Sequence, residues 1–308
     1  MAFSDIYRRQ VALLLRVLPI VAAEDCFALK GGTAINLFVR DMPRLSVDID
    51  LTYLPTHPRA AALRAIDAAM TRIAAGIRVR VPGARVTEAR LQPEGMVTRL
   101  LVRADDAQIK IEVTPVLRGT VSPAALQAVS PAVEAAFGFA EIAVVSFADL
   151  YAGKLVAALD RQHPRDFFDV RDLLAREGID DALRRAFIVY LLSHNRPMAE
   201  VLTARPKPFT AEFLRGFAGM TVEPVTEAEL LAVRDRLKTI AVGEMPDAHR
   251  RFLVSFERGE PEWNLLGLPA VAELPAVQWR QQNLDRLTAE RRAALVAQLE
   301  ALLFPDGR

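Results

Sequence analysis

The chain has 308 residues, 52% hydrophobic and 25% charged, with a formal net charge of +1. That is the make-up of a globular protein long enough for two domains, and it excludes an overall positive field; any nucleic-acid surface must be a local patch. One cysteine, Cys26, excludes a disulfide framework and a cysteine-based zinc site. The apolar run over residues 11–23 is broken by Arg16 and Pro19 and is too short to span a bilayer, and no signal peptide is evident. A cytoplasmic protein without membrane association is expected.

In chain order, apolar spacing predicts an amphipathic helix over residues 6–24. A short strand over 27–30, a turn at Gly31-Gly32 and a helix over 33–39 should follow, with Thr33 placed to cap that helix. Residues 47–53 form an acidic strand and 58–75 a helix. Strands are expected over 86–89, 97–103 and 108–114, the last two joined by a hairpin turn at Ala104-Asp105-Asp106-Ala107. After one more strand over 142–145 the chain turns helical: 146–160, 164–177, 179–192, 226–240, 246–258 and 289–303, with an irregular proline-rich stretch over 195–209. The fold class is α+β, a mixed sheet followed by helices. The expected domains are 1–146, the core, and 147–308, a helical domain.

The chemistry concentrates in the first half. Gly31, Gly32 and Thr33 precede Asp48-Ile49-Asp50. Glycines let backbone N–H groups approach phosphate oxygens, and residues i and i+2 of a strand share a face. Asp48 and Asp50 should therefore face a ligand while Val47, Ile49 and Leu51 face the core. The alternation recurs in Ile109-Lys110-Ile111-Glu112-Val113. A sheet that places Glu112 beside Asp48 and Asp50 gathers three carboxylates, which repel unless cations neutralise them. Two Mg²⁺ ions would do so and would clamp the oxygens of a phosphoryl or nucleotidyl transfer, with a nucleoside triphosphate (NTP) as substrate. Ser46 reads as a hydrogen-bonding residue rather than a nucleotidyl acceptor.

In the second half, Lys154 and Arg161 are two helical turns apart. Pro164 suits the start of the next helix, Asp166 lies near its N-terminus, and Arg165 can pair with Asp169 at i+4. These residues form either a capping and ion-pair network or part of a triphosphate site. His57, His194 and His249 lack ligand spacing, and His163, between Gln162 and Pro164, reads as an exposed loop residue.

Together these segments resemble the AbiEii/AbiGii toxin family of nucleotidyltransferases, which includes the MenT-type toxins. The resemblance rests on Gly31-Gly32-Thr33 with Asp48-Ile49-Asp50, on Lys110-Ile111-Glu112, on Lys154 with Arg165-Asp166 and Asp169, and on a tryptophan-bearing segment around Trp279. Threonine at position 33 in place of serine is a mild departure that keeps the hydroxyl. The resemblance implies a polymerase β-like nucleotidyltransferase core with an added helical domain. It also implies a toxin that adds nucleotides to an RNA acceptor, the tRNA 3′ end above all, and a cognate antitoxin protein as partner.

The implied roles are Mg²⁺ binding by Asp48, Asp50 and Glu112, with Glu112 alternatively a general base. Gly31, Gly32, Thr33 and Arg165 would bind the nucleotide. Lys154 would neutralise triphosphate charge, with Asp166 holding it in place. Trp279 either stacks on a base or, as the commoner outcome for a tryptophan, packs in the helical core. Arg78, Arg80, Arg85, Arg90, Arg250, Arg251 and Arg280 are candidates for an RNA path. Two other readings stay open: transfer to a protein side chain, and a non-catalytic nucleotide-binding module.

Overall fold

Period-two alternation in the first half and period-3.6 patterning in the second decide the architecture. The computed structural model describes residues 5–305. Seven strands form one mixed sheet: β1 (Phe27–Lys30), β2 (Asp48–Tyr53), β3 (Arg85–Leu91), β4 (Met96–Ala104), β5 (Ala107–Arg118), β6 (Ala125–Ala128) and β7 (Glu141–Val144). Their spatial order is β3-β4-β5-β2-β1-β7-β6. β2 runs parallel to β5 and antiparallel to β1, which in turn runs parallel to β7.

Helices α1 (Asp5–Ala22) and α3 (Arg59–Arg80) pack on this sheet. Their apolar sides bury Val11, Leu14 and Leu18, and Ile66, Met70 and Ile77. Against them lie Ile49 and Leu51 of β2, Leu100 and Val102 of β4, and Ile109, Ile111 and Val113 of β5, all at most 1% exposed. The alternation therefore leaves Asp48, Asp50, Lys110 and Glu112 on the other face. The turn between β4 and β5 has Asp105 and Asp106 at φ 49° and 59°. Two consecutive left-handed residues are what a tight hairpin with the right-handed twist of its strands needs.

Helix α2 (Gly31–Ala34) continues as a π-helical stretch over Ile35–Val39. It starts two residues before the expected position. Thr33 is thus inside the helix and caps nothing. Strand β6 and helix α4 (Pro131–Phe137) were not anticipated, because the stretch lacks a long apolar period.

Helices α5 (Phe147–Asp160), α6 (Pro164–Arg176) and α7 (Asp181–Leu192) open the helical half, and further helices follow at Glu227–Lys238, Asp247–Arg258, Pro275–Asp285 and Ala289–Leu303. The chain divides into two compact units. The first comprises residues 1–146 together with 218–224, the second 147–217 with 225–308. The sequence reading placed one boundary near 146 and has no counterpart for the return at 218–224. There Leu45 N–H donates to the Met220 carbonyl and Val222 N–H to the Pro43 carbonyl, each at 2.9 Å. Among the described residues no helix is long and apolar enough to cross a membrane.

Candidate active site

The site in the first unit starts where β1 ends. Lys30 is extended, and Gly31 then takes φ +76°, a left-handed turn that favours glycine. A Cβ on Gly31 would stand 2.8 Å from Asp50 Oδ2, and one on Gly32 would stand 2.8 Å from both Arg44 Nη2 and Ser46 Oγ. Both glycines are therefore needed for close approach, the first to an acid and the second to a buried arginine. Thr33, 1% exposed, donates to the Asp48 carbonyl at 2.5 Å and lies 3.1 Å from Ser46 Oγ. Its hydroxyl ties the glycine turn to the acidic strand. Asn36 reinforces the same corner, donating to the Gly32 carbonyl at 2.8 Å and accepting from Arg44 N–H at 3.3 Å.

Strand register assembles the rest. Asp50 lies opposite Lys30 of β1 and Glu112 of β5, and Asp48 lies opposite Lys110. The three expected acids thus share one face. Lys110 Nζ stands 3.5 Å from Asp48 Oδ2 and 3.0 Å from Glu112 Oε2, and Arg99 reaches Glu112 Oε1 at 2.5 Å. Lys30 Nζ donates to Thr114 Oγ1 at 3.3 Å. Three basic side chains therefore stand among three acids, so the repulsion expected of the acids is already offset by the protein's own cations.

Sequence reasoning missed Lys30 and Arg99 as members of this cluster. Lys30 reads as the end of an apolar strand and Arg99 as one arginine among many. Only the pairing of β1 with β2 and of β4 with β5 puts them beside the acids.

The electrostatics differ from acid to acid. Burial, with Asp48 and Glu112 adding to it, raises the Asp50 pKa although Lys110 and Lys30 oppose the shift. Burial would also raise Glu112, but hydrogen bonds and charge from Arg99 and Lys110 bring it below its ordinary value. Burial lowers Lys30 despite Asp50 and Glu112. For Lys110 burial is outweighed by Glu112, Asp48 and Asp50, and its pKa rises. Glu112 is accordingly a weak base held in its ionised form, and Asp50 is an acid whose charge burial disfavours.

A divalent cation fits part of this set. Among the described residues no group of three or more His, Cys, Asp or Glu side chains is arranged to hold a metal. Asp48 and Asp50, however, supply hard oxygen donors on one face. One or two carboxylates are all Mg²⁺ usually takes from a protein when phosphates and waters complete its octahedron.

The second unit holds a separate charged cluster. Lys154 of α5 is 6% exposed and lies 2.8 Å from Asp166 Oδ1 and 3.0 Å from Asp169 Oδ2. Asp166, fully buried on α6, also accepts from Arg161 Nε at 2.5 Å and Nη2 at 2.8 Å. Burial opposes its charge, yet Lys154 and Arg161 hold its pKa far below the ordinary carboxylate value. Asp169, for which the sequence suggested Arg165, is paired with Lys154. Arg165 sits at the N-terminus of α6, where its backbone N–H donates to His163 Nδ1 at 3.1 Å. His163 is thus the side-chain cap of α6 rather than a simple loop residue.

Three other expectations need correction. Trp279 is 52% exposed, with the Arg286 guanidinium 5.7 Å from its ring centre, so it is not a core tryptophan. Trp263, half-buried, packs instead beside the core rings of Phe252 and Phe256, at 5.2 and 6.1 Å. Arg280 is largely buried, stands 3.5 Å from Glu257 and is no surface contact for RNA. Arg250 donates to the carbonyls of Val242, Gly243, Met245 and Leu303, closing helix ends.

The chain matches the model of a family of nucleotidyltransferases. The chain belongs to the AbiEii family, nucleotidyl transferase toxins of type IV toxin–antitoxin systems, whose family model matches residues 12–283. Among solved structures it is similar to MenT4, a nucleotidyltransferase toxin from Mycobacterium tuberculosis H37Rv, with 18% identity over 95% of this chain and 94% of that one and a TM-score of 0.59. At that identity the likeness is one of fold. No curated protein sequence matches the chain.

Proposed function

We propose that the protein transfers a nucleotide from an NTP to an RNA acceptor, the 3′ end of tRNA, in a Mg²⁺-dependent reaction, and that a cognate antitoxin neutralises it. The observation that carries this reading is the juxtaposition in the first unit. Asp48 and Asp50 share a face, and Gly31 brings backbone within van der Waals reach of Asp50.

In this reading Gly31 and Gly32 present backbone N–H groups to the phosphates at the start of a helical segment. Thr33 is a positioning residue, since its hydroxyl holds the turn to β2. Asp48 and Asp50 hold the cation. When bound, Mg²⁺ polarises the phosphoryl oxygens and offsets the charge that develops in transfer. Glu112 completes the carboxylate set, and its lowered pKa favours that part over a general base. Lys110 and Lys30 add positive charge against the triphosphate. From the resemblance, Lys154 neutralises triphosphate charge, Asp166 holds its ammonium and Arg165 contributes to nucleotide binding.

The test is a transfer assay with each α-labelled NTP, Mg²⁺ and total bacterial tRNA, comparing wild type with Asp50→Asn. Label in RNA that depends on Asp50 is the expected result. Label in protein alone would overturn the RNA acceptor, and no transfer to any acceptor would overturn catalysis of this kind.

A further inference from the structure

The outer strands of the first unit turn a basic row toward the same face as the acids. Across β3 and β4, Arg85 lies opposite Arg103, Thr87 opposite Leu101, and Ala89 opposite Arg99. The register continues across β5, where Arg103 meets Gln108, Leu101 meets Lys110 and Arg99 meets Glu112. One strand further, Lys110 meets Asp48 and Glu112 meets Asp50. Residues directly opposite one another share a face. Arg85, Arg103 and Arg99 therefore stand on the face that carries the acid pair, while Val102, Ile109 and Ile111 fill the core on the other.

That face is open: Arg85, Thr87, Ala89, Arg99, Arg103 and Gln108 are all exposed. Arg78 and Arg90, from the same region of sequence, are spent on Glu88 at 3.1 Å each. Arg99 is spent on Glu112. Arg85 and Arg103 have no acid partner among the described residues. Arg103 Nε donates to the neutral Gln108 Oε1 at 2.6 Å. Like charges directly opposite in an antiparallel pair disfavour the sheet. Two arginines kept so, on an open face beside the acids, make a site that a polyanion would relieve. β4 is two strand spacings from β2, roughly 10 Å, which is within reach of a nucleic-acid chain whose end lies at Asp48 and Asp50.

We propose that the Arg85–Arg103 row of the β3–β4 hairpin is the track on which the phosphodiester backbone of the acceptor RNA lies. The inference rests on the RNA-acceptor reading above. It narrows that reading to two of the chain's many arginines, one of which, Arg103, the sequence did not single out.

The experiment measures binding of a fluorescein-labelled hairpin RNA with a single-stranded 3′ CCA end, by anisotropy, over a range of salt concentrations. It uses the full chain as wild type, Arg103→Gln, Arg85→Gln/Arg103→Gln, and Arg78→Gln as a control from the opposite face. Each lost phosphate contact should lower the magnitude of the salt slope by about 0.7–0.9. The double variant should therefore lose about 1.5 from the slope and roughly tenfold in affinity at moderate salt, and Arg78→Gln should lose neither. The double variant should also melt no lower than wild type, because a repulsive pair has been removed; a lower melting temperature with unchanged binding would show a merely structural pair and overturn the track. Transfer of label to the same RNA is followed in parallel. If wild type labels RNA but the double variant binds as tightly and with the same slope, the track fails and the acceptor reading stands. If wild type neither binds nor labels RNA, the acceptor reading fails and the track with it.

Discussion

Replacing Lys154 by methionine tests what the second unit's buried charges do. The methionine keeps most of the side-chain volume and removes the ammonium from between Asp166 and Asp169, at 2.8 and 3.0 Å. Breaking a buried ion pair by removing one partner costs about 3–5 kcal/mol, because a charge stays buried without its counter-charge. Asp166 keeps Arg161, which it meets through two hydrogen bonds. The loss should thus fall at the lower end, about 3 kcal/mol. Urea unfolding followed by the fluorescence of Trp263 and Trp279, both in the same unit, reads this value. Lys154→Met/Asp169→Asn should recover part of it, leaving a coupling energy of about 2 kcal/mol between the two positions. A single-variant loss under about 1 kcal/mol, or strict additivity in the double variant, would refute a buried network that depends on this lysine.

Three further outcomes follow from the geometry. Asp166 is depressed in the folded state from an ordinary value of 3.8, so its charge stabilises the fold above that pH and the contribution fades as pH falls through the folded value. The stability gap between wild type and Asp166→Asn, measured by calorimetry, should be constant from pH 5 to 8 and shrink only below about pH 4. Gly31→Ala forces a left-handed alanine, at about 1–2 kcal/mol, and drives its Cβ against Asp50; kcat/KM should fall at least about tenfold while the melting temperature moves by a few degrees, and unchanged kinetics would refute the close packing. Lys110→Met removes a cation 3.5 Å from Asp48 and 3.0 Å from Glu112; titration calorimetry without NTP should show Mg²⁺ binding strengthened roughly threefold or more, and weaker binding would refute competition between the lysine and the metal.

Much of the sheet was legible because alternation is local. Ile109, Ile111 and Val113 against Lys110 and Glu112 announce a strand with one buried face, and Asp105-Asp106 announces the turn before it. The acid pair was legible for the same reason. What stayed hidden depends on register between strands distant in sequence. Nothing near Lys30 says that it will face Asp50 across β1 and β2, and nothing near Arg103 says that it will face Arg85. Thr33 illustrates a different failure. A threonine after two glycines suits an N-cap, but its hydroxyl found a tertiary acceptor, the Asp48 carbonyl, and the helix began at Gly31 without a side-chain cap. Trp279 and Arg280 were exchanged in character, the aromatic exposed and the guanidinium buried, because the short helix that carries them shows little apolar periodicity to orient it.

The return of residues 218–224 to the first unit bears on how the protein is made. The segment leading into the acidic strand, Pro43 to Leu45, is secured by Met220, Thr221 and Val222. A ribosome that has released only the first half of the chain has therefore not released all the pieces of the first unit. The lead-in to Asp48 gains these partners only when residues 220–222 have emerged. A nascent chain cut short before residue 220, by stalling or premature termination, would carry both aspartates on a strand whose approach lacks its partner. Completion of the glycine–aspartate corner is in this way tied to synthesis past residue 222.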